Sequence, residues 1–416
     1  MRIKLLIFLI VIFCSCSRNK TRETSDTDSV IKIDLFSEPE STIKNLSEIA
    51  TNVEYIPLQT TQSSLLASSV SKIVSRDKRI YTQNGGLEGE LMCFDINGRF
   101  LFKLQNRGRG PEEYAFINDF DVSSDNKTLT ILSSLNRKLL VYGISDTSFT
   151  FLRSIALKDP TPNRISMVPE TDNAFLAIGP WRGTEPALSL LINSFGDTIQ
   201  YKPNCYKYKM TRTRNYYASN EVIVYSFEDM VCFREEFSDT VFFVNSKDNL
   251  FKPRMIFDSH GTLLTPEMRG NPELVNENTS SVYSIFETPR FVFYSYGSRE
   301  TRNSDPPIEN IFFDKKTNKK YKLDVDFIYE TILDKPVKIH IYKLKDDLGG
   351  GPDFTADLNS WYKYCSGGKQ FSFVDAIALK KYVTSGDFKN ARVSDLKKAE
   401  FKNLLIPLKR LIILYW

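Results

Sequence analysis

The sequence predicts an all-β protein, a six-bladed β-propeller with a short helical segment at its C-terminus. The 416 residues include 30 Phe and 20 Tyr, and many of them stand in short runs that alternate apolar and polar residues, as half-buried strands do. Strand–turn–strand units return at intervals of about 40–60 residues, which is typical of propeller blades. Only one long helical pattern stands between residues 30 and 370.

The turns between the predicted strands carry residues that accept positive φ. Asn97 and Gly98 separate "LMCFDI" from "RFLFKL" and form a strong hairpin signal. Similar turns stand at Gly196-Asp197, at residues 247–249 and at Thr317-Asn318. The predicted blade cores are residues 68–105, 115–157, 163–203, 220–257, 281–324 and 336–375. The earlier strands "VIKIDLF" and "NVEYIPL" would complete the last blade and close the ring, which removes exposed sheet edges.

The N-terminus carries an export signal. Arg2 and Lys4 precede an apolar run at residues 5–13 that is too short for a permanent membrane span. The following "CSCS" is similar to a bacterial lipobox, so cleavage before Cys16 would leave that cysteine to carry lipid. Cleavage at Cys14 and an ordinary secretory signal are the alternatives. The predicted segments are a signal peptide (1–15), a flexible tether (16–30), the propeller (31–380) and a C-terminal helical and apolar extension (381–416).

Charge and cysteine content exclude several function classes. The formal net charge is +4, and the lysines are spread along the chain, so no nucleic-acid partner is expected. Beyond the signal, four cysteines stand far apart without a C-x-x-C pair: Cys93, Cys205, Cys232 and Cys365. This spacing argues against zinc, and buried free thiols are favoured over disulfides, although an exported chain permits disulfides. No metal or cofactor is predicted.

The C-terminal region has a different pattern. Both "FVDAIALKKYV" and "VSDLKKAEFKNLLIPLKRLIILYW" place apolar residues at helical spacing, and Pro407 should end or kink the second helix. The final "LIILYW" is either a strand packed on the propeller, a surface for a partner, or the product of an altered reading frame.

Several motifs resemble one known family. The stretch "FDINGRFLFKLQNRGRGPEEY" resembles the signature of six-bladed β-propeller lipoproteins common in Bacteroidetes, where it joins the first blade to the second. In the same order, "NVEYIPLQT", "EEFSDTVFFV" and "DDLGGGPDF" resemble further motifs of that family. The resemblance covers about residues 30–380 and implies export and a propeller fold. It implies no established activity.

Three loops supply candidate ligand-facing residues. "RGRGPEEY" at residues 107–114 is either a corner between blades or, through Arg109 or Glu113, part of the mouth of the central channel. "DDLGGGPDF" brings the backbone close to a ligand or to a neighbouring blade. "GPWRGTEP" places an aromatic ring where it would stack on a sugar or pack in the core. The candidates are Arg109, Glu113, Tyr114, Trp181, Arg182, Asp347, Gly349, Gly350 and Asp353.

The preferred function is a non-enzymatic binding protein at the cell envelope, held in the outer membrane by its N-terminal lipid. Its partner would be a glycan, a peptide or an envelope protein. The only histidines are His260 and His340, and no G-x-S-x-G motif is present, so a Ser-His-Asp triad is poorly supported. The alternatives are a carbohydrate lyase or hydrolase with a carboxylate-lined channel, in which Glu113 and Asp347 would act, and a scaffold within an outer-membrane complex.

Overall fold

The chain forms an all-β propeller in the computed structural model, which describes residues 30–66, 70–209, 221–298, 308–332, 335–356, 365–366, 369–391, 393–405 and 410–415. Three short strands precede the blades: β1 (Ile31–Asp34), β2 (Ser41–Ile43) and β3 (Val53–Leu58). Five blades follow, and each is a sheet of four consecutive antiparallel strands. The predicted fold class is therefore confirmed, and the predicted number of six blades is wrong.

The blades match the first five predicted cores. Blade 1 contains β4 (Val70–Arg76), β5 (Arg79–Asn84), β6 (Glu90–Asp95) and β7 (Phe100–Leu104). Blade 2 contains β8 (Asp119–Val122), β9 (Thr128–Ser133), β10 (Lys138–Ile144) and β11 (Phe149–Ala156). Blade 3 contains β12 (Pro162–Met167), β13 (Ala174–Ile178), β14 (Ala187–Ile192) and β15 (Thr198–Pro203). Blade 4 contains β16 (Val222–Phe227), β17 (Met230–Glu235), β18 (Thr240–Val244) and β19 (Phe251–Asp258). After the short helix α1 (Pro266–Gly270), blade 5 contains β20 (Ser280–Glu287), β21 (Phe291–Ser298), β22 (Glu309–Asp314) and β23 (Lys319–Leu323).

The predicted turn residues adopt the backbone that was expected of them. Gly98 and Gly196 have φ of +81° and +91°. Asn249 and Asn318 have φ of +58° and +57°, which Asn tolerates better than most residues. Each therefore turns one strand of a blade back on the previous strand, as the hairpin signals predicted.

Residues 336–375 do not form a sixth blade because they divide between two sheets. Within them, β25 (Lys335–Leu344) pairs over its length with the preceding β24 (Val325–Ile332), and β26 (Phe354–Ala356) completes a three-stranded sheet. Adjacent strands pair at a small cost in loop-closure entropy, and the sequence analysis had left β24 out.

The rest of that segment joins a sheet made from both ends of the chain. This terminal sheet has the order β27 (Cys365–Ser366), β28 (Lys369–Asp375), β29 (Arg410–Tyr415) and β3. The apolar "LIILYW" end is thus mainly a strand, which was one of its three interpretations. The "NVEYIPL" segment pairs with β29, whereas "VIKIDLF" adds β1 to the outer edge of blade 4 as a parallel strand. In the same manner β2 extends blade 5.

Three helices lie between β28 and β29: α2 (Ala376–Val383), α3 (Gly386–Asn390) and α4 (Asp395–Leu405). Helix α4 ends at Leu405, and Pro407, which was expected to end or kink this helix, lies outside the described residues. In the part of the chain that the structure describes, none of the helices has the length and apolar character needed to cross a membrane.

The core consists of apolar layers between neighbouring sheets. Blades 1 and 2 enclose Tyr81, Cys93, Phe120 and Leu129, and blades 4 and 5 enclose Phe257, Val292 and Tyr294. The terminal sheet packs Ile56, Leu58 and Phe371 on blade 1. Helices α2 to α4 pack Leu379, Phe388 and Phe401 into the layer that contains Phe286 and Phe293 of blade 5. Both ends of the chain therefore fill the gap between the fifth blade and the first.

Candidate ligand-binding channel

The innermost strands of the first four blades enclose a cavity. Strands β4, β8, β12 and β16 supply its wall, and the loop after β5 contributes Gly86 and Leu87. Its volume is about 320 Å³, near the lower end of the roughly 300–1,000 Å³ typical of ligand pockets. Charged residues from three blades line it: Lys72, Arg76, Asp119, Asp121 and Arg164. We call this cavity the channel.

Asp119 joins three blades at the channel wall. One carboxylate oxygen accepts hydrogen bonds from the Lys72 ammonium of blade 1 at 2.7 Å and from the main-chain N–H of Phe120 at 2.9 Å. The other oxygen accepts from the main-chain N–H of Ile165 in blade 3 at 2.9 Å. Both oxygens therefore have protein donors, and the carboxylate is almost fully buried.

Asp121 repeats this arrangement two residues further along β8. Its first oxygen accepts from the Val122 N–H at 2.8 Å and lies 3.4 Å from the Arg76 guanidinium of blade 1. Its second oxygen accepts from the Met167 N–H at 2.8 Å and from the Ser166 hydroxyl at 3.2 Å, both in blade 3. Alternate residues of a strand share one face, so this pair of carboxylates holds β8 to the strands on either side of it.

The Lys72 ammonium uses only one of its donors within the described part of the chain. An ammonium has three N–H donors, and among the described residues that of Lys72 makes one hydrogen bond, to Asp119. It also lies 5.5 Å from the centre of the Phe120 ring. Its side chain is 21% exposed, so the remaining donors are available to water or a ligand.

A second, smaller cavity of about 230 Å³ continues at the C-terminal ends of the inner strands. It shares Arg76 and Ser226 with the channel. Its rim includes Asp77 and Glu228, which have φ of +50° and +49° and begin the turns after β4 and β16. Arg76 therefore lies at the boundary between the two cavities.

The "RGRGPEEY" loop is a corner between blades 1 and 2. The Glu113 carboxylate accepts from the Gly110 N–H at 2.8 Å, and a Cβ on Gly108 would lie 1.9 Å from a Glu113 oxygen. Tyr114 is buried, its hydroxyl donates to the Leu104 carbonyl at 3.3 Å, and burial raises its pKa to about 12. Arg109 is exposed. The structure brings none of the three predicted residues of this loop into the channel described above.

Trp181 lies in the core rather than on the surface. Its ring is 7% exposed and packs on Phe237, with ring centres 5.6 Å apart. Its indole N–H donates to the Ile178 carbonyl at 2.8 Å. The interpretation of this ring as an exposed platform for a sugar is therefore wrong, because its faces are covered. The neighbouring Arg182 is exposed, 3.8 Å from Asp159.

A buried acid that the sequence analysis missed lies beneath Trp181. The Glu221 carboxylate accepts from the Trp181 main-chain N–H at 2.9 Å and pairs with the buried Arg269 at 2.9 Å. Burial raises the pKa of Glu221 to about 7 and outweighs the opposing effects of these two partners.

The loop "DDLGGGPDF" is folded around Tyr55. The Asp346 carboxylate accepts from the N–H groups of Gly349 and Gly351 at 2.6 and 2.8 Å, and from the Tyr55 hydroxyl of β3. A Cβ on Gly351 would lie 1.8 Å from the Tyr55 hydroxyl oxygen. Desolvation and the nearby Asp346 charge hold the pKa of Tyr55 well above its ordinary range. The glycines thus permit close packing against the terminal sheet.

The other candidates of that loop also have a defined place. The Asp347 carboxylate accepts from the main-chain N–H and the hydroxyl of Ser47, at 3.0 and 2.5 Å. Gly350 has φ of +76° and packs against Val393. Asp353 is exposed. None of these residues is among the described residues that line the channel.

His260 is exposed, and its Nε2 atom stands 3.4 Å from a carboxylate oxygen of Asp34. The side chains of His340, Cys16 and Cys365 lie outside the described residues. Cys93 and Cys232 are buried free thiols, as predicted, whereas Cys205 is exposed. No cluster of three or more His, Cys, Asp or Glu suited to a metal occurs among the described residues.

The sequence analysis missed the channel residues, although one signal for them was present. "DFDV" places two acids at alternate positions of a strand that is buried at all four residues. Buried carboxylates need partners, so such an acid–apolar alternation indicates an inner strand whose acids bind neighbouring blades. The lysine and arginine partners lie 47 and 45 residues earlier, and only the fold identifies them.

Among the solved structures that the chain resembles, one supports the fold with a TM-score above 0.5. A protein from Bacteroides fragilis, provisionally described as exported, has a structure with a TM-score of 0.59 and 18% identity, covering 93% of this chain and 99% of its own. A DUF4221 family member from Bacteroides vulgatus has a TM-score of 0.45 and 10% identity, covering 71% of this chain and 98% of its own. The WD40 repeats of RRP9 have a TM-score of 0.40 and 9% identity, covering 88% and 97%.

No curated protein matches the chain in sequence. The sequence model of DUF4934, a domain of unknown function, matches residues 29–410. Since this match covers far more than half of the chain and includes all five blades, the chain belongs to the DUF4934 family.

Proposed function

We propose that this protein is an exported, lipid-anchored β-propeller that binds a glycan, a peptide or a partner protein at the cell envelope, and that the ligand enters the channel. The observation that carries the proposal is the channel itself, a polar cavity of about 320 Å³ lined by the inner strands of four blades. Concave sites with a few convergent polar groups are the usual places where proteins bind ligands.

The partners of the carboxylates favour binding over catalysis. A general acid or base must exchange protons with a substrate. Asp119 and Asp121 instead accept hydrogen bonds from main-chain amides of blade 3 and face cations of blade 1. Glu113 and Asp347, which the hydrolase alternative requires, bind Gly110 and Ser47.

Two observations support the proposed location at the cell envelope. Residues 1–13 have the charged start and apolar run that are typical of an export signal, and "CSCS" follows them; a structurally similar Bacteroides fragilis protein is provisionally described as exported. Lipid on Cys16 would hold the propeller at the outer membrane through the tether, because acyl chains supply the anchoring free energy without contact between the folded body and the bilayer.

Binding is tested with glycan and peptide arrays followed by a channel-blocking variant. Ser226→Phe fills the wall shared by both cavities, and Ser63→Phe, at an exposed turn outside them, is the matched control. We expect a ligand that binds wild type and the control, loses affinity for Ser226→Phe and is recovered unchanged. Binding that survives the block, conversion of the ligand, or no ligand on either array would contradict the proposal.

The anchor is tested by acyl labelling and membrane fractionation of the full-length chain. Cys16→Ser should lose the label and leave the membrane fraction, whereas Cys14→Ser should keep both. Labelling that depends on Cys14, or membrane association without label, would overturn the assignment to Cys16.

A further inference from the structure

We infer that the channel ligand is a small hydroxylated anion, a sugar unit that carries a carboxylate or sulfate group, with Lys72 as its charge-binding residue. This inference rests on the proposed function and deepens it, because it assigns a chemical class to a ligand that the proposal leaves open.

The charges of the wall support an anionic ligand. Among the described residues that line the channel, three are cationic (Lys72, Arg76 and Arg164) and two are anionic (Asp119 and Asp121). Each oxygen of the two carboxylates already accepts a main-chain hydrogen bond. The carboxylates are therefore poor sites for a cationic ligand, and the formal charges of the described lining residues sum to +1, which favours an anion.

Lys72 is the cation best placed to bind the ligand. Its 2.7 Å contact with Asp119 fixes the ammonium at the wall, and the Phe120 ring beneath it limits its movement. It makes no second hydrogen bond among the described residues, so two donors remain. A carboxylate or sulfate oxygen would replace water on these donors with charge-assisted hydrogen bonds, which are stronger than neutral ones.

The rest of the lining favours a hydroxylated molecule of about one sugar unit. Ser71, Ser226 and Asn118 line the same cavity, and polar residues of this kind would bind hydroxyl groups. The one aromatic residue in the described wall, Tyr225, is buried, with its hydroxyl directed to Glu287 at 3.5 Å. A flat apolar ligand would thus find little surface to stack on, and a volume near 320 Å³ leaves no room for a long oligosaccharide.

The test measures the binding of glucuronate, galactose 6-sulfate and neutral galactose by isothermal titration calorimetry. The variants are Lys72→Gln, Lys72→Arg and, as a matched control, Lys103→Gln. Lys103 belongs to the same blade, is 20% exposed and pairs with Glu90 at 3.0 Å, but lies on the outer strand β7. Thermal unfolding verifies that each variant is folded.

We expect at least one acidic sugar to bind more tightly than galactose, with an affinity that falls as salt rises. Lys72→Gln should weaken this binding at least tenfold, while Lys72→Arg and Lys103→Gln should stay within threefold of wild type. Tighter binding of glucuronate than of galactose 6-sulfate, or the reverse, identifies whether the ligand carries a carboxylate or a sulfate group.

Two results would overturn the inference, and they differ from failure of the proposed function. If no acidic sugar binds, or if Lys72→Gln binds it as wild type does, the anionic class and the role of Lys72 are wrong. If neutral galactose or an array peptide binds and Ser226→Phe abolishes that binding, the channel is still the binding site, and only its assigned chemistry fails.

Discussion

The clearest quantitative prediction concerns Glu287, a fully buried acid between blades 4 and 5. Its carboxylate pairs with Arg254 of β19 at 2.6 Å and with Lys315, next to β22, at 2.8 Å. Both cations also lie over the Phe227 ring, at 5.5 and 4.4 Å from its centre. Glu287→Gln keeps the shape of the side chain and removes the charge, which leaves two cations in the same layer without their counter-ion.

The expected loss of stability is large. Removing one partner of a buried ion pair costs about 3–5 kcal/mol, since the remaining charge stays desolvated. Proteins gain about 2.1 cal/mol/K of unfolding entropy per residue, or roughly 0.9 kcal/mol/K for a chain of 416 residues. A loss of about 4 kcal/mol should therefore lower the melting temperature by about 5 °C.

Differential scanning calorimetry measures this shift directly. The matched control is Asp248→Asn, which breaks the exposed pair between Asp248 and Lys252 at 2.6 Å and should change the melting temperature by less than 1 °C, because exposed pairs contribute little. Lys315→Met combined with Glu287→Gln should recover part of the loss. Equal, small shifts for both single variants would refute the argument that Glu287 holds blades 4 and 5 together.

Three further predictions follow from buried groups. Burial raises the pKa of Glu221 to about 7, so between about pH 4.5 and 7 the folded state keeps a proton on Glu221 that the unfolded state releases. The contribution of Glu221 to the free energy of unfolding is therefore largest below this pH window. It falls by at most about 3 kcal/mol as the pH rises through the window. Gly351→Ala should destabilise the fold by about 1–3 kcal/mol, because its Cβ would overlap the Tyr55 hydroxyl. In the native protein, iodoacetamide should modify Cys205 readily and leave Cys93 unmodified, since Cys205 is exposed whereas burial raises the pKa of the Cys93 thiol to about 12.

Each of these has its own control. For Glu221, urea unfolding is measured from pH 4.5 to 7.5, and Glu221→Gln should lose the fall in the free energy of unfolding that wild type shows over this range. An unchanged pH profile would show that another group titrates. Gly386→Ala, at a helical glycine with open space around it, should be neutral or stabilising; a loss equal to that of Gly351→Ala would contradict the packing argument. Peptide mass spectrometry locates the alkylated cysteine, and rapid modification of Cys93 would mean that blade 1 opens readily.

The local elements of the propeller were predictable because each blade is built from contacts between neighbouring strands. The alternating apolar runs predicted the first five blade cores to within a few residues. Turn residues such as Asn97 and Gly98 specify a hairpin through backbone preferences that do not depend on the rest of the chain. The buried free thiols of Cys93 and Cys232 were predicted on a different ground, the wide spacing of the cysteines, which names no disulfide pairs.

The candidate site was predicted poorly because its residues are brought together only by the ring. Gly108, Gly349 and Gly351 attract attention as parts of ligand loops, yet they allow the backbone to approach Glu113 and Tyr55. Trp181 stands among Gly and Pro, which is typical of an exposed loop, and is nevertheless covered by Phe237. Lys72 and Asp119, by contrast, are ordinary in sequence and become notable only as a pair in the channel.

The sequence by itself determined the strand-rich class, the blade repeat and the hairpin turns, because these depend on residues that are close along the chain. Tertiary structure alone decided the number of blades and the composition of the channel. Strand β3 pairs with β29 across more than 350 residues, and β25 pairs with β24 instead of forming part of a sixth blade. Such pairings depend on which edges remain open once the blades have packed, and local patterns do not encode that choice.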